Sequence, residues 1–183
     1  PTFIMNDQSG IQYACNVSGS SVIYELNFDF VNGFSENVSL AVSGLPQGAN
    51  AVFDQTQISA SGTVFLTINN LGGIPAQDYN MTITGTSTSV TQEINLVLGL
   101  KSGVFDAVSL VSPSDGATNI GLAPVLSWEE NTSALSYDVQ IALDENFNNI
   151  IDSGTTDELS YTSSTLQTTT AYYWRVRPKN DCG

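Results

Sequence analysis

The chain has 183 residues, 41% of them hydrophobic, and a formal net charge of −14 from 18 acidic and only 4 basic side chains. A surface this acidic repels phosphate backbones and anionic lipid headgroups, which excludes nucleic acid and disfavours binding to an acidic membrane. No apolar run reaches the roughly 18–20 residues that span a bilayer, so no membrane insertion is expected. The chain also contains no histidine. That excludes the commonest general base, the usual zinc ligand and a Ser-His-Asp triad.

The first half of the chain alternates apolar and polar residues in five segments, separated by turn-forming stretches such as NGFSEN, GLPQGAN and GGIPAQ. Period-two alternation over short segments is typical of strands with one buried face, and several such strands in a row predict an antiparallel β-sandwich. The residues predicted to face its core are Val22, Tyr24, Leu26, Phe28, Phe30, Val38, Leu40, Val42, Val64, Leu66, Ile68, Tyr79, Met81, Ile83, Ile94, Leu96 and Leu98.

A second, self-contained set of strands follows the stretch LKSGVFDA. The residues predicted to face its core are Leu126, Trp128, Tyr137, Val139, Ile141, Ile150 or Ile151, Tyr161, Tyr172, Trp174 and Val176. The length suits two sandwiches of roughly 90–100 residues. We therefore predict an all-β chain of two tandem antiparallel β-sandwiches, with domains at 1–103 and 104–183 joined by a short hinge.

Residues 107–183 resemble a bacterial fibronectin type III domain. The resemblance rests on LVSPSDGATNIGLAPVLSW, YDVQIALDENFNNII and YTSSTLQTTTAYYWRVRPKN. It implies that Trp128 packs against the facing sheet and that Trp174 lies on the core side of its strand. It also implies that Tyr172, six residues after Leu166, forms a tyrosine corner with its hydroxyl bonded back to the backbone.

Residues 1–100 resemble a bacterial immunoglobulin-like domain. The matching stretches are NGFSENVSLAVSGLPQGANAVFDQTQIS and AQDYNMTITGTS. The resemblance implies a second tyrosine corner at Tyr79. Tandems of these two modules are appended to secreted bacterial proteins, metallopeptidases prominent among them. A secreted or cell-surface location and covalently linked neighbouring domains are what the resemblance implies.

The second domain departs from the fibronectin pattern in one respect. The family adds a seventh strand after the strand that here occupies 172–179, whereas this sequence ends at NDCG. The strand at 172–179 is then predicted to have an open edge. Open edges invite pairing with another strand. We therefore expect that this sequence is a piece of a longer protein, cut before the last strand of its second domain. The alternative is that a neighbouring chain supplies the missing strand.

Calcium is the only metal candidate, because hard cations prefer carboxylate and amide oxygens. The stretch DENFNNIID offers such oxygens, from Asp144 to Asp152, but it lacks the spacing and central glycine of an EF-hand. A structural turn, with Phe147 and Ile150 in the core, explains the stretch without a metal. We therefore expect no cofactor.

A short outward-facing strip is the one candidate binding surface. Tyr173, Arg175 and Arg177 alternate along one strand and could bind an acidic glycan or a protein. Asp138 and Gln140 are predicted on the adjacent strand, facing the same way. Cross-strand pairing with them is the simpler interpretation of the arginines.

Cys15 and Cys182 are the only cysteines. In sandwiches of this kind, the first strand would place Cys15 at the lower end of the first domain. The last strand would place Cys182 at the upper end of the second domain. An inter-domain disulfide is therefore predicted, in keeping with an oxidising extracellular setting. Two alternatives stay open: Cys15 is a buried free thiol, or Cys182 pairs with a cysteine outside this sequence.

The residues thus predict a non-catalytic extracellular spacer or accessory module of a secreted multidomain protein, a metallopeptidase or other hydrolase by the resemblance. The alternative is an adhesive or carbohydrate-binding module of a cell-surface protein. A catalytic role for these residues themselves is not expected, because no nucleophile lies beside a base.

Overall fold

A computed structural model describes all residues from 1 to 183 and divides them into two compact units, Pro1–Ser102 and Gly103–Gly183. Every regular element is a strand. No helix in the structure has the length and apolar character needed to cross a membrane. The predicted all-β class is confirmed. The unit boundary falls one residue before the domain boundary drawn from the sequence.

Unit 1 contains nine strands in two sheets. They are β1 (Thr2–Asp7), β2 (Gln12–Cys15), β3 (Val22–Val31), β4 (Val38–Ser43), β5 (Asn50–Phe53), β6 (Gln57–Ile58), β7 (Gly62–Asn69), β8 (Asp78–Thr86) and β9 (Thr91–Lys101). One sheet has the order β1-β3-β7-β5, and the other has the order β2-β9-β8-β4-β6. All neighbours are antiparallel except β2 and β9, which run parallel and which the sequence did not distinguish.

The core of unit 1 lies between these sheets and follows the alternation of the sequence. Along β3, Val22, Tyr24, Leu26 and Phe28 are buried while Glu25 faces outward. Burying a large apolar side chain contributes about 1.5–3 kcal/mol relative to leaving it exposed. The packing of this one strand is therefore a large part of what holds the two sheets together.

A buried tyrosine joins the two sheets of unit 1. Tyr24 on β3 is fully buried, and its hydroxyl donates a hydrogen bond of 2.8 Å to the carbonyl of Val97 on β9. Burial raises the pKa of Tyr24, and the charge of Asp7 adds to the effect, so the hydroxyl stays a donor. The bond satisfies the Tyr24 hydroxyl, which the solvent cannot reach.

Unit 2 contains six strands in two three-stranded sheets. They are β10 (Leu110–Ser112), β11 (Val125–Trp128), β12 (Ser136–Ala142), β13 (Ile150–Thr156), β14 (Ser160–Thr162) and β15 (Tyr173–Lys179). The sheets have the orders β10-β11-β14 and β13-β12-β15, all antiparallel. Its core is small: Leu126, Trp128, Tyr137, Val139 and Ile141 are buried.

A β-bulge overturns one expectation for this core. Ile141 pairs with Asp152 but Ala142 pairs with Ile150, so Ile151 is an extra residue on β13. Both Ile150 and Ile151 are 40% exposed, and the core-side position goes to Asp152. Neither isoleucine fills the core as predicted, because a bulge shifts the alternation of one strand against its partner.

Replacing Tyr24 with Phe is expected to destabilise unit 1 by about 0.5–1.5 kcal/mol, since the hydrogen bond from its hydroxyl to the Val97 carbonyl is lost. Hydrogen exchange of β3 and β9 amides measures the effect within this unit. Tyr13→Phe is the matched control, because Tyr13 is 56% exposed. Equal exchange in the two variants would show that the hydroxyl contributes nothing.

Candidate functional site

The outward face of β15 carries most of the chain's positive charge. Arg175, Arg177 and Lys179 alternate on this face with Tyr173, while Trp174 and Val176 point toward the core. These three residues are three of the four cations in the whole chain. The face is hereafter called the basic strip.

The neighbouring strand β12 supplies partners for two of the three cations. Arg175 lies opposite Gln140, and its Nε donates a 2.8 Å hydrogen bond to Gln140 Oε1. Lys179 Nζ lies 3.2 Å from Asp138 Oδ2. The cross-strand neighbours expected from the alternation are therefore present. Half-exposed pairs of this kind contribute only about 0–1 kcal/mol each.

Asp138 is the only carboxylate on the outward face of the β13-β12-β15 sheet. Thr155 donates a 2.7 Å hydrogen bond to Asp138, and Lys179 and Arg177 lie nearby. These contacts, the Thr155 bond first, lower the pKa of Asp138 despite an opposing contribution from partial burial. One carboxylate faces three cations, so the basic strip keeps a surplus positive charge that this sheet does not neutralise.

An aromatic ring that the sequence analysis did not predict packs against one arginine of the basic strip. The guanidinium of Arg175 lies 4.0 Å above the centre of the Phe147 ring, within cation–π distance. Phe147 was expected in the core. It is instead half-buried at a turn, with a positive φ of 57°. No local pattern signals a phenylalanine in this conformation, which bulky residues rarely adopt.

The edge of β15 lies beside a groove. In its sheet, β15 has a neighbour only on the β12 side. On the other side, a groove of about 430 Å³ separates β15 from the irregular segment that opens unit 2, with Phe105, Asp106 and Val108 on its far wall.

Asp144, the first residue of the candidate calcium-binding stretch, stabilises the turn in which it lies. Its two carboxylate oxygens accept hydrogen bonds from the backbone N–H groups of Asn146, Asn148 and Asn149. The Asn148 and Asn149 bonds are the main cause of a lowered Asp144 pKa. No group of three or more His, Cys, Asp or Glu side chains is arranged to hold a metal.

Asp152, at the other end of the stretch, also binds protein groups. Burial raises its pKa, but hydrogen bonds from the Ser164 backbone (2.6 Å) and the Tyr161 hydroxyl (3.0 Å) outweigh burial and lower it overall. Through these bonds the carboxylate connects β13 to the segment that follows β14.

The aromatic residues implied by the resemblance occupy structural positions. Trp128 is buried and packs on Tyr137 of the facing sheet, with ring centres 5.5 Å apart. Its Nε1 is buried without a partner, which costs stability. Trp174 packs against the same core but is only half-buried.

Each unit contains a tyrosine corner. The Tyr172 hydroxyl accepts a 2.9 Å hydrogen bond from the Gln167 N–H, directly after Leu166. The Tyr79 hydroxyl donates a 3.0 Å bond to the Pro75 carbonyl. These tyrosines hold loops in place and offer no reactive group.

Each cysteine lies, within its own unit, next to a residue beside the unit boundary. Cys15 ends β2 and pairs with Lys101, the last residue of β9. In unit 2, the Cys182 backbone packs directly against Gly103, leaving no room there for a side chain. Neither cysteine is a free thiol, which removes the buried-thiol alternative.

Comparison with known proteins yields fold likenesses only. No family model and no curated protein matches the chain. It is similar to S-layer protein SbsC domains 4 and 5 (15% identity, TM-score 0.38, covering 53% of this chain and 50% of that one). It is also similar to the FN1-FN3 domains of chicken CNTN1 (14%, TM-score 0.42, 93% and 59%). A third likeness is to the fibronectin(III)-like modules of Clostridium thermocellum CbhA (12%, TM-score 0.37, 98% and 88%).

The chain thus spans half of the SbsC fragment and 59% of the CNTN1 fragment. Similarity at this level says nothing about ligand or activity.

Replacing Asp144 with Asn is expected to destabilise unit 2 at neutral pH. The lowered pKa means that the ionised form is favoured on folding, so its contribution is full above the unfolded pKa of about 3.9. The contribution disappears as the pH falls through the folded pKa. Urea unfolding followed by tryptophan fluorescence reports on unit 2, since both tryptophans lie there.

The control for this experiment is Glu145→Gln, because Glu145 is a neighbouring acid with an exposed side chain. The difference between wild type and Asp144→Asn should close as the pH falls through the lowered folded pKa of Asp144. Millimolar Ca²⁺ should leave the wild-type unfolding curve unchanged. A calcium-dependent increase in stability that Asp144→Asn abolishes would instead establish a metal site.

Proposed function

We propose that this chain is a non-catalytic extracellular module that acts as a spacer or accessory segment in a secreted multidomain bacterial protein. The observation that carries the proposal is the use of its carboxylates. All four with a shifted pKa have it lowered, and each accepts hydrogen bonds from loops or strands of its own unit. A general acid requires a raised pKa, which is the opposite shift.

Glu36 illustrates this structural use in unit 1. Its carboxylate accepts bonds from the Thr88 hydroxyl (2.6 Å) and from the hydroxyl and backbone N–H of Ser89 (2.7 and 3.0 Å). These bonds, Thr88 first, lower the pKa of Glu36 to about 2. The side chain therefore links the β8–β9 turn to the loop before β4 by hydrogen bonds, which restricts the motion of both.

The resemblance of 1–100 and 107–183 to immunoglobulin-like and fibronectin type III modules supports an extracellular location and a hydrolase, such as a metallopeptidase, as the parent protein. The acidic surface suits an extracellular medium, where salt screens the mutual repulsion of the carboxylates. The open reading frame that encodes the chain tests this part. A neighbouring enzyme domain would support it, and sandwich repeats without any enzyme would contradict it.

The surplus charge of the basic strip favours one alternative, an adhesive module that binds acidic polysaccharides through Tyr173, Arg175 and Arg177. A spacer should bind no member of a broad glycan panel more tightly than its Arg175→Ser/Arg177→Ser variant does. Retention of an acidic polysaccharide by the wild type alone would replace the spacer with the adhesin. Hydrolysis of a glycan or peptide by the pure chain would contradict both.

We further propose that Cys15 and Cys182 bond to each other and so restrict the motion between the units. Cys15 lies beside Lys101 in unit 1, and Cys182 packs on Gly103 in unit 2. Lys101 and Gly103 are separated by a single residue. Both cysteines therefore lie next to the point where the chain passes from one unit to the other. A spacer gains fixed geometry from such a bond, which suits an oxidising compartment.

Reduction of this bond is expected to uncouple the units, so that calorimetry under reducing conditions resolves two unfolding transitions at lower temperature. Disulfides typically contribute about 2–4 kcal/mol. The Cys15→Ser/Cys182→Ser variant should show the same unfolding transitions as the reduced wild type, and adding reductant should not change them. Peptide mapping without reduction should recover the Cys15–Cys182 pair. Alkylation of both thiols in the secreted protein would refute the pairing.

A further inference from the structure

The outer face of the β1-β3-β7-β5 sheet carries an exposed apolar row. Ile23 on β3 and Val52 on β5 both lie opposite Thr67 on β7, so the three side chains form one row across the sheet. Ile23 is 55% exposed and Val52 is 48% exposed. The core is filled from the other face of the sheet, by neighbours such as Tyr24 and Leu66. Exposed apolar side chains that adjoin one another, rather than scattered ones, mark an interaction surface.

An acidic row lies beside the apolar row, two positions further along each strand. Glu25 on β3 lies opposite Phe65 on β7, and Phe65 is 43% exposed. On the other side of Phe65, the Asp54 N–H donates to its carbonyl (3.0 Å) and Asp54 Oδ1 accepts from its N–H (2.9 Å). Both acids are exposed. The two rows together are hereafter called the acidic face, which consists of Ile23, Thr67, Val52, Glu25, Phe65 and Asp54.

Unit 1 supplies no cation to this face. Its only basic side chain is Lys101, which lies 4.8 Å over the Tyr13 ring on the other sheet of the unit. A second acidic face would set Glu25 and Asp54 against the same carboxylates, and like charges across an interface are unfavourable. A matching partner must therefore combine apolar side chains with positive charge.

The basic strip of unit 2 has this combination in the same arrangement. Tyr173 on β15 and Ile150 on β13 both lie opposite Ala142 on β12, and they are 43% and 40% exposed. They form an apolar row on the outer face of the β13-β12-β15 sheet. Two positions further along the strands, Arg175 lies opposite Gln140 and begins the row of cations. The strip therefore also places a charged row directly beside an apolar row.

The equal spacing of the rows makes the two faces complementary. Two residues of a strand span about 6.4–6.8 Å, and sheets pack face to face about 10 Å apart. When the apolar rows pack on each other, Arg175 of one face therefore meets Glu25 and Asp54 of the other. The ring contact with Phe147 and the bond to Gln140 already hold Arg175 in place. Less side-chain entropy is then lost on binding.

The strip remains accessible when a further strand lies beside β15. Side chains stand roughly perpendicular to a sheet. An added neighbour of β15 extends the sheet sideways and leaves the outer side of Tyr173 and Arg175 uncovered. The interaction between the two faces therefore does not require an open edge at β15.

We propose that the acidic face of unit 1 binds the basic strip of unit 2 on a second copy of the chain. The two surfaces differ, so the contact is heterologous, and a pair of copies still presents one free acidic face and one free strip. Association therefore continues beyond the dimer. About six residues a side, against roughly 20–30 in a standard interface, make a single contact weak. This interaction goes beyond the spacer role, since it gives the module a partner.

Sedimentation velocity of the whole chain tests the proposal. The sedimentation coefficient should rise with concentration beyond the value of a dimer, and association should be severalfold weaker in high salt. Two variants block one surface each: Ile23→Ser/Glu25→Gln alters the acidic face, and Arg175→Gln/Arg177→Gln alters the basic strip. Each should weaken association about tenfold or more, because it removes complementary charge.

Mixing the two blocked variants separates a lost contact from a lost fold. The face variant keeps its strip and the strip variant keeps its acidic face, so the mixture should form one-to-one dimers that do not extend further. A misfolded variant could not be rescued in this way. The matched control is Ile4→Ser/Asp29→Asn, since Ile4 is 45% exposed and lies opposite Asp29 on the same sheet, outside the acidic face. It should associate like the wild type.

Several outcomes would overturn the proposal. They are a sedimentation coefficient that stays constant up to about 1 mM, undiminished association of either blocked variant, and a mixture that stays monomeric. An equal loss in the Ile4→Ser/Asp29→Asn control would do so as well, and so would loss of association in a form extended by a strand beside β15. If the strip retains an acidic polysaccharide while the copies do not associate, the adhesin alternative replaces this proposal. The spacer role is tested separately by the reading frame.

Discussion

The pairing of β12 with β15 is the constraint on which the candidate site depends. It buries Val139 and Ile141 at the centre of unit 2 and turns Trp174 and Val176 toward the same core. Because side chains alternate along a strand, the same register places every cation of β15 on the outer face. The buried core and the outward charge are therefore two consequences of one strand pairing.

The acidic residues show how a chain of net charge −14 stays folded. Carboxylates such as Glu36 and Asp144 are not spread passively over the surface. They accept backbone and hydroxyl hydrogen bonds that close turns. A bond to an ionised acceptor is stronger than a neutral one, so each such carboxylate offsets some of the repulsion that it causes.

Much of this architecture could be predicted because a strand with one buried face alternates apolar and polar residues along the sequence. The core of β3 is a local pattern of that kind, whereas the tyrosine corners at Tyr79 and Tyr172 were expected from the family resemblance. The parallel β2–β9 pair joins segments far apart in the chain, and nothing in either segment reveals its direction. The bulge at Ile151 was hidden because one extra residue leaves hydrophobicity unchanged while it shifts the facing of its neighbours.

The candidate site was predictable only in part, for the same physical reason. The alternation of Tyr173, Arg175 and Arg177 identified the strip, yet its electrostatics depend on what lies across the sheet and around the turns. Phe147 contributes because a left-handed backbone conformation swings its ring beneath Arg175. Such contacts belong to the assembled fold.

The positive charge of β15 acts over a short distance only. The rest of unit 2 is acidic: of the chain's four cations, only those on β15 lie in this unit. Attraction is therefore confined to about one Debye length, roughly 8–10 Å, around the strip. An acidic glycan, the ligand of the adhesin alternative, would therefore gain from the strip only where it lies alongside it.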